Sequence, residues 1–135
     1  MPSEPVPIRS AEKWLTVAKG DLVIARHPRD PEVPWELLAF HAQQAAEKAL
    51  KAVLVHRGIR PPRTHDLDEI LGVYRQRGVR GSPNAGQLPR LTPWAVEARY
   101  PGAGFEDATE EDFRAALELA DAVVGWAEKV IHSPG

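Results

Sequence analysis

Apolar residues recur along this chain at intervals of three and four positions, which is the period of an amphipathic helix. The first such stretch predicts a helix from about Ser10 to His27, with Ser10 as its N-cap. The second predicts a helix rich in alanine and leucine that begins near Trp35. It ends at Gly58, since glycine suits the left-handed position after a helix. We interpret this second helix as the core of the fold.

The second half of the chain predicts three further helices. A short one covers about residues 67–74, where Thr64 or Asp66 is available as cap and Glu69 would complete a capping box. Residues 75–87 combine arginine with glycine and proline and predict a mobile loop. Helical spacing returns from Leu88 to Ala98, and the last helix follows a cap at Thr109 with an acid three residues later. No run alternates as a strand would, so the predicted class is an all-α antiparallel bundle of about five helices.

The second helix carries polar and apolar residues outside its main apolar face. His41, Gln44, Lys48 and Lys51 follow one flank, and we expect Lys51 to lie away from the core. Leu54 also lies off that face, together with Leu37 and Phe40, and a second apolar surface would be needed to cover them. We expect a partner subunit to supply that surface.

The composition indicates one globular domain. The chain has 135 residues, 43% of them hydrophobic, and the predicted core spans about residues 10–131. Its start resembles no signal peptide and no apolar run is long enough to span a bilayer, so we expect a cytoplasmic protein without membrane contact. The absence of cysteine excludes disulfides, thiolate catalysis and cysteine metal sites.

Charge is distributed unevenly along the chain. Between Lys48 and Arg80 eight basic side chains stand against three acidic ones, a net charge of +5. Between Glu106 and Glu128 eight acidic side chains stand against one arginine, a net charge of −7. The two segments either neutralise each other across the fold, or the basic one forms a patch for an anionic ligand.

Four blocks of the sequence together resemble the HEPN family of small helical proteins. They are WLTVAKGDLVIA, FHAQQAAEKALKAVLVHRG, PRTHDLDEIL and ARYPG, and the resemblance spans roughly Ala11 to Ile131. It implies a bundle similar to the C-terminal domain of kanamycin nucleotidyltransferase. It also implies a homodimer or higher homo-oligomer, often with a separately encoded minimal nucleotidyltransferase as partner. Some relatives are RNases, often in toxin–antitoxin pairs, whereas others are described as nucleotide-binding.

The RNase members of the family carry an arginine followed four to six residues later by a histidine. Arg60 and His65 meet that spacing, but Pro61 replaces the polar residue that usually follows the arginine. The pair also precedes the third helix, whereas the family motif is expected later in the chain. The alternative is that His65 orders the start of the third helix by binding backbone and that Arg60 and Arg63 are solvated loop charges.

Other basic residues are candidates for binding a nucleotide or RNA. Arginine and lysine bind phosphate well, and arginine beside tyrosine can hold a base or ribose. The candidates are Lys48, Lys51, Arg57, Arg63, Arg99 and Tyr100. The five histidines show no metal-ligand spacing, and no phosphate loop or hydrolase elbow occurs, so no metal or cofactor is expected. Two hypotheses remain: a non-catalytic nucleotide-binding or nucleotidyltransferase-partner module, and a metal-independent endoribonuclease that uses Arg60 and His65.

Overall fold

Helices alone make up the regular structure in the computed structural model, which describes residues 8–95 and 108–133 and their side chains from Ser10 onward. The elements are α1 (Ile8–Arg26), α2 (Trp35–His56), α3 (Leu67–Arg77), a 3₁₀-helix (Ala85–Trp94) and α4 (Glu110–His132). The predicted all-α class and the number of helices are confirmed. None of the helices in these ranges combines the length and the apolar character that a membrane span needs.

Ion pairs and ring contacts give the direction of the long helices. Along α1, Glu12, Lys19 and Arg26 contact in turn residues that run backwards along α4: His132, Glu128 and Asp121. Near the start of α1, Trp14 lies 5.7 Å below the ammonium of Lys51, which is near the end of α2. Helix α1 therefore runs antiparallel to both α2 and α4.

Helix α2 lies at the centre of the bundle. It packs against all four other helices, and its alanines at 39, 42, 45, 46, 49 and 52 are fully buried. Small side chains allow neighbouring helices to approach closely on several sides, so positions outside the main apolar face are covered as well. Leu54 is 0% exposed. The expectation that Leu54 needs a partner subunit to cover it is therefore wrong.

The ends of α2, α3 and α4 follow local sequence signals, whereas α1 begins at Ile8, so that its predicted N-cap Ser10 lies inside the helix, and Asp66 caps α3 without the predicted capping box with Glu69. Gly58 adopts φ 76°, and the next amide, that of Ile59, donates to the carbonyl of Leu54, which closes the end of α2. Gly78 ends α3 in the same left-handed region, with φ 65°. At the start of α4 the side chain of Thr109 accepts from the amide of Asp112, and the carboxylate of Asp112 accepts from the amide of Thr109. This predicted capping box is confirmed.

The region between α3 and α4 differs from the prediction. Helix α3 extends to Arg77 and the next helix begins at Ala85, so residues 75–77 and 85–87 belong to helices rather than to one long loop. The predicted fourth helix is a 3₁₀-helix that ends at Trp94. Pro89 and Pro93 lie inside it, and each lacks an amide proton and disfavours the α conformation in the residue before it. Ala98 and the ARYPG block lie outside the described residues.

Tyr74 connects α3 to the central helix. Its hydroxyl donates to the carbonyl of Leu50 at 2.5 Å, and its ring lies 6.3 Å from that of Trp126. Burial raises the pKa of this hydroxyl well above its usual range, so that it stays protonated as the donor. The contact holds α3, and the segment before it, against α2.

Candidate functional site

Two separate clusters of charged groups lie on the polar flank of α2. In the first, Asp21 of α1 accepts from Lys48 at 2.8 Å and pairs with the ring of His41 at 3.1 Å. Asp21 is 9% exposed, so a carboxylate that would be costly to bury alone is compensated by two bases.

The second cluster forms around Glu47, which is 2% exposed. One carboxylate oxygen lies 3.0 Å from the Lys51 ammonium, one turn further along α2. The other lies 3.0 Å from Nδ1 of His65, in the segment before α3, and 3.3 Å from the side-chain amide of Gln43. The buried carboxylate is therefore surrounded by three donors from two parts of the chain.

The same cluster fixes the backbone before α3. Lys51 also donates to the carbonyl of Thr64 at 2.9 Å, and Gln43 donates to the carbonyl of His65 at 3.3 Å. At the other end of the segment Ile59 is buried in the core. Residues 59–65 are thus anchored at both ends, with Pro61 and Pro62 restricting the backbone between.

Three exposed arginines lie between α2 and α3: Arg57 directly follows α2, and Arg60 and Arg63 belong to the anchored segment. Arg57, Arg60 and Arg63 are exposed, and no carboxylate within residues 8–95 or 108–133 lies within 4.0 Å of their guanidinium groups. Arg60 precedes a proline, which favours extended backbone at that position.

The acidic residues of α4 do not neutralise these arginines in the described parts of the chain. Asp121 and Glu128 pair with Arg26 and Lys19 of α1, and Glu110 pairs with Arg114 of its own helix. The hydrogen bond from Lys19 holds the pKa of Glu128 below its usual range. These contacts do not support the interpretation that α4 neutralises the basic segment. Within the described residues, the charges of Arg57, Arg60 and Arg63 are therefore not compensated by α4.

The ring of His65 does not bind backbone at the start of α3, as one of the two sequence-based alternatives predicted. The ring binds the side chain of Glu47, while the amide of Asp66 is bound by the Thr64 hydroxyl and that of Asp68 by the Asp66 carboxylate. The start of α3 is thus ordered by Thr64 and Asp66. The His65 side chain is 56% exposed beside its nearly buried carboxylate partner, which leaves the far side of the ring facing solvent.

The four sequence blocks and the helical bundle agree with one protein family. The HEPN domain family model matches residues 11–130. This chain belongs to the HEPN domain family. No curated protein matches the sequence significantly.

One solved structure resembles this HEPN protein along most of its length. It is the crystal structure of TT1696 from Thermus thermophilus, with 24% sequence identity and a TM-score of 0.76. The alignment covers 90% of this chain and 98% of that one. At this level of identity the likeness shows a shared fold.

The predicted site residues of the HEPN protein fall into three groups. Lys51 and His65 meet at Glu47, Lys48 binds Asp21 in the other cluster, and the exposed arginines lie on the segment between α2 and α3. Arg99 and Tyr100 lie outside the described residues. Lys51 is 6% exposed, so the expectation that it lies away from the core is wrong.

Glu47 and Gln43 are not among the residues that the sequence predicted for the site. The spacing of Gln43, Glu47 and Lys51, four residues each, places them along one side of α2, and that was the available signal. Within the described ranges no three histidine, aspartate or glutamate side chains are placed to share a metal ion.

Proposed function

We propose that this HEPN protein is a cytoplasmic module that binds the phosphates of a nucleotide or of RNA and catalyses no reaction itself. In this proposal it acts as a homodimer beside a separately encoded minimal nucleotidyltransferase. The observation that carries the binding role is the exposed pair Arg60 and Arg63 on a segment anchored at both ends, with the exposed Arg57 shortly before it. Guanidinium groups without a carboxylate partner, held on restricted backbone, favour binding of an anion.

In this proposal the two lysines stabilise the fold behind the site and do not bind the phosphate. Lys48 and Lys51 are already bound to Asp21 and Glu47, so their charges are compensated within the fold. Lys51 holds the carbonyl of Thr64 as well. Phosphate is therefore bound by the arginines and by His65, while the lysines stabilise the helix and loop behind them.

The salt dependence of binding tests the proposed role. Titration of ATP and of a short single-stranded RNA into the protein is expected to give affinities that fall linearly on a logarithmic plot against salt concentration. For RNA, two neutralised phosphates correspond to a slope of about −1.4. Calorimetry or fluorescence anisotropy between low and high salt measures the slope. No binding of either probe at low salt would contradict the proposal.

An endoribonuclease is the second candidate, because Glu47 holds His65 as a carboxylate holds the histidine of a general acid–base pair. In that case Arg60 would steady the phosphate. We expect single-stranded RNA to stay intact during incubation with the pure protein. Metal-independent cleavage that disappears in His65→Ala would favour the endoribonuclease instead.

A partner nucleotidyltransferase is the part of the proposal that the family resemblance supports. The regular structure of the described residues is helical, and Gly81 and Ser82 are adjacent but lie between α3 and the 3₁₀-helix rather than beside a sheet with paired acids, which nucleotidyl transfer uses. The transfer activity would therefore belong to a second protein. Expression together with a neighbouring nucleotidyltransferase gene and purification through a tag on one of the two tests this part.

Exposed apolar side chains support a dimer that involves α1 and the start of α2. Val23 is 62% exposed, Ile24 48% and Leu37 39%, and they line one open groove of about 360 Å³ beside His41. We expect light scattering at micromolar concentration to show at least a dimer, and Val23→Asp with Ile24→Asp to convert it to a monomer because buried apolar area is lost. A monomeric parent protein would contradict this part of the proposal.

A further inference from the structure

Of the three side chains that donate to Glu47, His65 is the exposed one. The side chain of Glu47 is 3% exposed, whereas the side chain of His65 is 56% exposed. A carboxylate of this kind cannot contact a ligand directly. Glu47 can affect a bound ligand by orienting the ring of His65.

The carboxylate determines which nitrogen of His65 carries a proton. An ionised carboxylate only accepts hydrogen bonds, so Nδ1 of His65, 3.0 Å away, is the donor. In the neutral ring Nε2 then holds the lone pair, and in the charged ring it becomes a second donor. Nε2 has no hydrogen-bond partner within the described residues. The exposed nitrogen of the ring is therefore presented to solvent in a known protonation pattern.

Glu47 itself has little freedom to move. Lys51 and Gln43 donate to it from one turn after and one turn before it on α2, and Gln44 in turn donates to Gln43 at 2.7 Å. Because Lys51 and Gln43 also bind the carbonyls of Thr64 and His65, one group of side chains orients both the ring and the backbone of His65. Such a shell of donors is what fixes a functional imidazole in place.

We propose that Glu47 is a positioning residue for the phosphate site: it holds His65 so that Nε2, when protonated, donates to a phosphate bound by Arg60 and Arg63. The inference rests on the proposed function, since it assumes that phosphate binds at this segment. It adds a pH dependence to that function. The protonated ring binds phosphate and the neutral ring does not, so affinity rises as the pH falls through the range in which histidine gains its proton.

Glu47 is the charged side chain in contact with the ring, and the other charged groups named here lie behind Glu47 or near His65 in the chain. Helix α2 contributes Glu47 and, behind it, Lys51, which form an ion pair with each other. Asp66 follows His65 at the start of α3, where its carboxylate accepts from the amide of Asp68. Arg60 and Arg63 carry charge on the preceding segment. The arginines and the phosphodiesters of RNA keep their charge over the whole range tested, which leaves the imidazole as the group at this site whose charge changes.

The test compares Glu47→Gln with Glu69→Gln, an exposed carboxylate of α3 that has no contact with His65. Nitrogen-detected NMR of the histidine rings is expected to show Nδ1 protonated in neutral His65 of the parent and of Glu69→Gln, and to show loss of that preference in Glu47→Gln. Titrations of the short single-stranded RNA at about pH 6 and pH 8 should show affinity rising at the lower pH in the first two proteins, since its phosphodiesters carry the same charge at both pH values. Loss of one charged hydrogen bond corresponds to about tenfold in affinity, so Glu47→Gln should be about tenfold weaker at the lower pH.

His65→Asn provides a second variant in case Glu47→Gln does not fold. Its side-chain amide replaces Nδ1 as donor to Glu47 but has no counterpart of Nε2, so the fold should persist while the pH dependence disappears. An unchanged pH dependence in His65→Asn, or an unchanged ring tautomer in folded Glu47→Gln, would overturn the inference. If the parent binds neither RNA nor ATP at any pH, the proposed function fails, whereas the NMR experiment still decides whether Glu47 positions His65.

Discussion

Replacement of Arg60 and Arg63 together by glutamate is expected to weaken ATP and single-stranded RNA binding by about a hundredfold at low salt. Each arginine contributes a hydrogen bond to a charged group, which is worth about 1.5 kcal/mol, and about 1.4 kcal/mol corresponds to a factor of ten in affinity. The added glutamates also repel the phosphate. Both side chains are exposed, so the fold should not change. Anisotropy titrations measure the affinity and circular dichroism the helix content.

Arg90→Glu with Lys129→Glu provides the matched control. It changes the net charge by the same amount at two exposed positions in other elements, the 3₁₀-helix and α4. General repulsion of the nucleic acid would weaken binding equally in both double variants. A local site predicts that the control stays within about threefold of the parent, far from the hundredfold loss. Equal losses in the two variants would remove the arginine segment as the binding site.

Lys51→Met is expected to lower the free energy of unfolding by about 3 kcal/mol, since removing one partner of a buried ion pair leaves the other charge uncompensated. Methionine keeps most of the volume beside Trp14, so the loss reports on the charge and on the hydrogen bonds to Glu47 and Thr64. Lys48→Met, at a side chain 22% exposed, should cost about 1 kcal/mol because Asp21 keeps His41 and some solvent.

Urea unfolding followed by circular dichroism measures both changes. The test is whether Lys51→Met lowers the free energy of unfolding more than Lys48→Met does. The sequence alone predicted no such difference, because it placed both lysines on one flank of α2. Equal and small losses would mean that Lys51 is solvated like a surface lysine. Such a result would also remove the support that the cluster gives to the backbone at Thr64 and His65.

Local signals predicted most of the helical framework. The apolar period of α1, α2 and α4 predicted helices whose ends lie close to the observed ones, and Gly58 ends α2 as expected. The cap at Thr109 is formed by residues three positions apart, which sequence displays directly. Where the signal depends on a few adjacent residues, sequence and structure agree.

Predictions that depended on contacts between distant parts of the chain were less successful. Whether Lys51 and Leu54 are buried depends on how many helices surround α2, which its own period does not reveal. The hydrogen-bond partner of His65 is Glu47, which lies 18 residues earlier in the chain, on α2. A 3₁₀-helix replaces the predicted helix because Pro89 and Pro93 lack amide protons. Their effect on the backbone outweighs the apolar spacing from which an α-helix was predicted.

The anchoring of residues 59–65 has a consequence for the thermodynamics of binding. A flexible loop would lose about 1–2 kcal/mol of backbone entropy for each residue that it ordered around a phosphate. Here Ile59, Thr64 and His65 are already held against α2, and two prolines restrict the backbone between them. The entropy lost on binding should then come mainly from the arginine side chains, at about 0.5–1.5 kcal/mol each. The segment is preorganised, so the free and phosphate-bound backbones should superimpose.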